Sequence, residues 1–410
     1  MDKADAAIIG GGAAGYFAAI SCAENAPGSR VLILEKSPNL LTKVRISGGG
    51  RCNVCPACFD PQSLVTHYPR GAKALLGVFY KFQPKDTIEW FESRDVPLKT
   101  EPDGRVFPAS NHSSSIVTAL EDAARAAGVE VRTCLGEVSA TKVEQGYQIT
   151  SKNGASITAR AVLIATGGCR AGDTPHPATQ LGHTVSYPVP SLFSIALADE
   201  WPKRLSGVSV PCVTLSLPAH GISQSGPLLL THTGISGPAT LRLSAWAARV
   251  FSEMHYRCEI RADFIPHTGE HLLLEWIENN RQKQGGREVF NSPYPGIPSR
   301  LWKALAELAH IPPATRWCEI STSAVRALMS LAKSAPLQMV GKNANKDEFV
   351  TCGGVNLKEV DFRTMESKLA PGLYFAGEVL DLDGITGGYN FQAAWSTGWL
   401  AGKGMAQHIS

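Results

Sequence analysis

Residues 6–35 read AAIIGGGAAGYFAAISCAENAPGSRVLILE. Gly10-x-Gly12-x-x-Gly15 stands between an apolar run at residues 6–9 and a stretch compatible with a helix. A second apolar run, residues 31–34, ends in Glu35, 20 positions after Gly15. Strand, glycine turn, helix, strand and acid in this order make the βαβ dinucleotide fingerprint. Gly10 permits the tight turn, Gly12 lets the backbone approach a pyrophosphate, and Gly15 lets the helix lie close on the strand. The helix start, with Ala13 and Ala14 in its first turn, offers N–H groups and a partial positive charge to the phosphates. Glu35, followed by Lys36, is placed to accept from a ribose 2′-OH, which disfavours a 2′-phosphate.

A chain of 410 residues suggests two or three domains. A formal charge of +3 makes no general case for nucleic acid or an anionic membrane, so no nucleic-acid partner is expected. Residues 6–23 carry no charge, but three consecutive glycines and the preceding Asp2 and Asp5 argue against a signal or membrane helix. The protein therefore reads as soluble and cytoplasmic, with its ten cysteines as reduced thiols. A helix is expected at residues 113–127, stopped by Gly128. Asn153-Gly154 predicts a hairpin with a type I′ turn. After about residue 186, Pro188, Pro190, Pro202, Pro211 and Pro218 punctuate short β-like runs, the texture of an inserted antiparallel barrel or sandwich. Residues 268–333 turn helical.

Two further segments bear on a cofactor. Ala165-Thr166-Gly167-Gly168 ends a strand of continuous apolar character and suits a turn that closes over the adenosine half. Near the C-terminus, a strand ends in Gly377-Glu378, and Gly387-Gly388-Tyr389-Asn390-Phe391 opens a helix expected over residues 393–405. Glu378 is placed to accept from ribityl hydroxyls, and the helix start to hold the electron-rich edge of a reduced flavin. A nicotinamide needs no such second site, so this segment selects FAD over NAD.

Arg51-Cys52-Asn53-Val54-Cys55-Pro56-Ala57-Cys58 has C-x2-C-x2-C spacing. Position 62, where an iron–sulfur run would need its fourth cysteine, is Gln62, and zinc also lacks a fourth ligand except His67 at no recognised spacing. No metal is expected. A redox pair of Cys52 and Cys55, with Arg51 lowering a thiol pKa, competes with structural thiols. His232 is a candidate acid facing the flavin, or else bonds within its own turn. Ser236 is read as a helix cap, and Asp381 and Asp383 as loop carboxylates.

With these motifs, the chain resembles the BaiN/RdsA-like (YhiN-like) family of FAD-dependent oxidoreductases. Its marks are Gly10 to Gly15 with Glu35, Ile46-Ser-Gly-Gly-Gly-Arg-Cys-Asn53, Gly104-Arg-Val-Phe-Pro108, Thr231-His-Thr-Gly-Ile-Ser-Gly-Pro-Ala239, Thr351-Cys-Gly-Gly-Val355 and the segment from Phe375 to Gln392. The resemblance implies an α/β, glutathione-reductase-like (Rossmann) FAD domain with an inserted β-barrel and a small helical domain. The corresponding boundaries are 1–187 plus 345–410 for the FAD domain, 188–265 plus 334–344 for the barrel, and 266–333 for the helices. It implies that Ser47, Gly48, Arg51 and Asn53 line the cofactor and that Val138 lies near the adenine. Cys55 and Cys58 depart from the family's usual loop. The expected activity is hydride transfer between flavin N5 and a small organic substrate, an enone-type reduction with NAD(P)H as donor and Tyr389 or His232 as proton source. The alternatives are an amine oxidase using oxygen, a thiol reductase and, more remotely, an RNA-associated flavoprotein. No second G-x-G-x-x-G marks a dedicated NAD(P)H domain. The oligomeric state is not legible.

Overall fold

A computed structural model describes residues 2–169, 176–343 and 350–410. The chain divides into two compact units, Met1–Pro190 with Lys346–Ser410, and Ser191–Asn345.

The first unit is a Rossmann-type α/β assembly. Its elements are β1 (Asp2–Ile9), α1 (Ala13–Asn25), β2 (Val31–Leu34), α2 (Ala72–Phe79), α3 (Ser113–Ala126), β3 (Glu130–Arg132), β4 (Val138–Val143), β5 (Gly146–Ser151), β6 (Ser156–Ile164), β7 (Val360–Asp361), β8 (Glu366–Ser367), β9 (Leu373–Phe375) and α4 (Tyr389–Ile409). The sheet runs β7-β8-β9-β6-β1-β2-β3, with β5 paired antiparallel to β6 and β4 to β5. β1 is parallel to both β2 and β6, and β9 is parallel to β6.

Residues 6–9 and 31–34 form central strands because both faces are covered, so every side chain in them is buried. Each Val, Leu or Ile so placed contributes about 1.5–3 kcal/mol. α1 is buried over Ala14 to Ala23, since α4 covers the side away from the sheet. That contact is made by small residues. A Cβ on Gly398 would lie 2.5 Å from the Ala14 carbonyl oxygen, and one on Gly402 would lie 2.4 Å from that of Ala18. Register aligns the strand ends: Ile9 pairs with Leu34 and with Ile164, and Ile164 pairs with Phe375. Gly10, Glu35, Ala165 and the approach to Gly377 therefore emerge along one carboxyl edge, where open α/β sheets bind ligands.

The second unit closes six antiparallel strands into a barrel, in the order Ser194–Leu197, Gly234–Ser236, Ile222–Leu230, Ser209–Leu217, Cys258–Asp263 and Ala335–Asn343. Val210, Val213, Leu215 and Leu217 point inward, and a bulge between Val210 and Val213 restores the alternation that their odd spacing would break. The helices Glu270–Lys283, Ser299–Leu308 and Thr322–Ser334 fall in this same unit.

Several local expectations need correction. Ser236 caps no helix: it ends a strand and bonds Ser194 Oγ at 2.6 Å, while Gly237 precedes the helix Pro238–Trp246. The Asn153-Gly154 turn is not type I′, because only Gly154 takes a positive φ, of 83°. The C-terminal helix begins at Tyr389, directly after Gly388, rather than at residue 393.

Candidate functional site

The turn after β1 is fixed by close backbone approach. Gly10 has φ 116°, and a Cβ there would lie 2.3 Å from the Ala165 carbonyl oxygen; one on Gly15 would lie 2.0 Å from that of Gly10. A Cβ on Gly12 would meet nothing within 4 Å. Gly12 precedes α1 with no side-chain cap and no acid in the first turn, which leaves the first N–H groups of the helix without a side-chain acceptor from that turn. Glu35 accepts from the Gly11 N–H at 2.8 Å through one carboxylate oxygen and from the Ser37 N–H at 3.0 Å through the other. Each oxygen keeps a second lone pair for a hydroxyl. Lys36 is exposed, and its carbonyl accepts from the Gly136 N–H at 3.1 Å. That bond draws the segment entering Val138 alongside Glu35.

Ala165 is buried beside Gly10, Thr166 is exposed, and Gly167 turns the chain at φ 79°. Glu378 accepts from the Thr351 N–H at 2.9 Å and from Lys43 Nζ at 2.5 Å. A Cβ on Gly168 would lie 2.6 Å from the Glu378 carboxylate, so the A-T-G-G turn and Glu378 border one space. Gly377, at φ 75°, fits only without a side chain, because its Cβ would meet that of Ala14 at 2.8 Å.

α4 starts like α1, with no side-chain cap and no acid in its first turn. Gly388 has φ 90°, and a Cβ there would lie 2.7 Å from the Cys55 backbone. Asn53, its amide oriented to satisfy both neighbours, donates to the Val106 carbonyl at 3.3 Å and accepts from the Gly388 N–H at 3.1 Å. Asn390 bonds both the N–H and the carbonyl of Gly384, each at 2.9 Å, which closes the preceding loop on itself. Phe391 stacks on Trp395 with centroids 5.5 Å apart. Tyr389 stacks on His67 at 4.6 Å, and Tyr68 Oη donates to the Tyr389 carbonyl at 2.6 Å. Burial pushes the Tyr68 phenol well above its usual range, so it stays a proton donor. His67 Nδ1 lies 3.1 Å from the Ser63 carbonyl, which places the proton of the neutral ring on Nδ1 and leaves Nε2 as an acceptor. Asp383, fully buried, is gripped by Arg70 through two hydrogen bonds. Sequence reading treated Asp383 as a loop carboxylate and gave His67 only a doubtful metal role; their partners lie hundreds of residues away, and no local signal announces them.

The helix Thr42–Gly50 breaks at Ser47, after which Gly48, Gly49 and Gly50 take φ values of 58°, 68° and 82°. A Cβ on Gly48 would lie 3.0 Å from the Phe107 ring. Arg51 spends its charge elsewhere than on a thiol: it pairs with Glu101 at 2.7 Å and lies 4.0 Å over Phe107. Cys52 and Cys55 are fully buried. Desolvation pushes the Cys52 thiol up to about 12 and raises that of Cys55 as well. Burial disfavours the thiolate, which is the reactive form, and is in line with the competing reading of structural thiols. His232 is exposed in the barrel unit, and the Gly234 N–H of its turn bonds Thr231 rather than the imidazole. Among the described residues, no group of three or more His, Cys, Asp or Glu side chains could hold a metal, and no helix is long and apolar enough to cross a membrane.

These residues fit FAD. The uncapped start of α1 beneath Gly12 suits its pyrophosphate, Glu35 the adenosine ribose, Glu378 the ribityl hydroxyls, and the uncapped start of α4 the flavin N1/C2=O edge. A family model described as HI0933-like protein Rossmann domain matches residues 4–404. A 3-dehydro-bile acid delta(4,6)-reductase of Clostridium scindens is 30% identical over 416 residues, covering 98% of each chain. A ribosomal RNA dihydrouridine synthase of Escherichia coli is 30% identical over 414 residues, again covering 98% of each, and one of Haemophilus influenzae is 28% identical over 403. In fold, the chain is similar to a 3-ketosteroid delta1-dehydrogenase from Sterolibacterium denitrificans (TM-score 0.52, 13% identity, 99% of this chain and 100% of that one). It is also similar to a flavocytochrome c3 fumarate reductase (TM-score 0.51, 16% identity, 100% and 79%).

Proposed function

The chain belongs to the HI0933-like family of FAD-dependent oxidoreductases, and from that premise we propose that it saturates a carbon–carbon double bond conjugated to a carbonyl, with NAD(P)H as electron donor. The observation that carries this reading is the pair of uncapped helix starts, at Gly12 and Gly388, set on strand ends that share one register. The names of the relatives support the substrate class. One describes reduction of a 3-dehydro steroid at positions 4 and 6, and the others describe saturation of uridine. Both substrates present a double bond whose electrons are drawn toward a carbonyl oxygen.

Bound FAD supplies the hydride. The residues of this chain do the rest. The α1 start and Glu35 anchor the adenosine end, while Glu378 and the Tyr389 and Asn390 N–H groups orient the flavin end. The helix dipole there would favour negative charge at the cofactor edge nearest the α4 start. Tyr389 is assigned the proton delivered to the substrate, from its phenol oxygen, with His67 stacked behind it to fix the ring.

The test is anaerobic mixing of the yellow protein with NADH or NADPH, followed by a conjugated enone. Bleaching by one nucleotide and recovery of the flavin spectrum on enone addition are expected. No bleaching by either overturns the donor assignment and favours oxidation of an amine with oxygen. The Escherichia coli and Haemophilus influenzae relatives support a second reading, in which the conjugated bond is that of a uracil ring in RNA. The names of these relatives leave open the expectation that nucleic acid plays no part.

A further inference from the structure

The first unit treats its cations in two ways. Around β1 to β3, Arg30 and Arg132 share Asp2 and Glu130; elsewhere Arg45 pairs with Glu121, Arg94 with Glu24, and Arg105 with Glu101 and Asp103. Across α2, β7–β8 and the second half of α4 the pattern differs. Lys81 Nζ bonds the Arg363 carbonyl at 3.1 Å, Lys368 Nζ bonds the Lys358 carbonyl at 2.9 Å, and Lys403 Nζ lies 4.5 Å over the Trp399 ring. Among the described residues, Arg363 is the cation of this group with an ion pair, to Asp361 at 2.7 Å. That acid is held at about 2, with Lys368 adding to the pull of Arg363.

These side chains line two adjoining hollows of about 510 and 350 Å³ that share Lys81 and Arg363; Lys73 lines the first, and Trp399 and Lys403 the second. Lys73, Lys81, Arg363, Lys368 and Lys403 face a single carboxylate, Asp361, along these hollows, so this is a positive track. Lys73 stands three residues after Arg70, whose guanidinium holds Asp383 in the loop leading to Gly388. Lys403 stands 15 residues into α4, roughly 22 Å from its start. The track thus begins beside the loop of the flavin end and runs away from it.

We propose that this track binds the phosphodiester backbone of RNA whose uracil enters the site. The proposal rests on the second reading above. Phosphates spaced along a strand match cations spaced along a groove.

The test is fluorescence anisotropy of a labelled, uridine-rich single-stranded RNA with the FAD-loaded protein, at 50 and 200 mM salt. Lys81→Glu/Lys368→Glu is compared with Lys142→Glu/Lys152→Glu, which alters exposed lysines elsewhere by the same charge. The track variant is expected to bind at least tenfold more weakly and to lose about 1.4 from the slope of log K against log salt, near 0.7 per phosphate contact. The control stays within twofold of the parent, and both variants keep the parent's flavin spectrum. Equal weakening of both variants, or of neither, overturns the track while leaving the RNA reading intact. An unmodified protein that leaves this RNA unbound at 50 mM salt overturns both, and binding to anionic phosphatidylglycerol vesicles in its place assigns the lysines to a membrane surface.

Discussion

Glu35 and Glu378 both follow parallel strands of one sheet, yet they are held in different ways. Glu35 accepts from Gly11 and Ser37, residues of its own βαβ unit. Glu378 accepts from Thr351 and from Lys43, the latter 335 positions away. The contrast extends to the helix starts. α1 is set by the turn that carries it, whereas α4 is set by Asn53 at Gly388, Tyr68 at Tyr389, Trp395 Nε1 donating to Val54, and Thr87 donating to Gln392. The proposed adenosine end is held mainly by local contacts, and the proposed flavin end mainly by tertiary ones. A tertiary end fails whenever one of its remote supports does.

Glycine substitutions should break this comparison most severely. Gly10→Ala places a methyl group 2.3 Å from the Ala165 oxygen at φ 116°, in the centre of the sheet edge. It should abolish FAD retention and lower the melting temperature together. Gly388→Ala, at φ 90°, should abolish FAD retention with the smaller thermal loss, since only the flavin end is displaced. Flavin absorbance per chain and a melting curve read both.

Next comes Arg70→Met, which takes the guanidinium away from buried Asp383, at a cost of about 3–5 kcal/mol. Adding Asp383→Asn should recover part of that loss in urea unfolding. If the single variant melts like the parent, the flavin end does not depend on this remote pair.

Among the carboxylates, Glu378→Ala is expected to purify with most of its FAD lost. Glu35→Ala should weaken FAD by about tenfold, the worth of a charge-assisted hydrogen bond of about 1.5 kcal/mol. Titration of the stripped proteins with FAD compares them, and equal losses would erase the distinction drawn here.

The smallest effect concerns His183, whose Nε2 lies 2.8 Å from Ser367 Oγ and whose ring meets Phe375 edge-on, on the strand leading to Glu378. Burial lowers its pKa, so the folded chain keeps it neutral while the unfolded chain takes up a proton near 6.5. Stability is then complete above about pH 6.5 and falls as the pH drops below it. His183→Gln should flatten that decline in melting temperatures measured from pH 5 to 8.

The same difference explains what was legible beforehand. Residues 6–35 carry their own periodicity, turn and acid, so the fingerprint and its sheet follow from one window of sequence. Glu378 and Gly388 were legible as a strand end and a glycine turn, because those too are local patterns. Arg70 with Asp383 and His67 with Tyr389 were not, because each partner is ordinary in its own neighbourhood and meaningful only across the fold. The thiols of residues 52–58 left a redox pair and structural thiols both open, because spacing suggests chemistry while burial bears on whether a thiolate forms. Gly398 and Gly402 stood four apart in plain view, though nothing nearby said which backbone they would admit.

That last contact has a consequence for cofactor choice. Because α1 and α4 touch backbone to backbone at Ala14 and Ala18, their two positive ends cannot slide relative to each other without steric overlap. They form a fixed gauge. A ligand carrying both a pyrophosphate and an isoalloxazine satisfies both ends at once, whereas FMN, with one phosphate and no adenosine, leaves one end to water. Under the proposed assignment, the spacing of the two helix starts would select a ligand by length before chemistry.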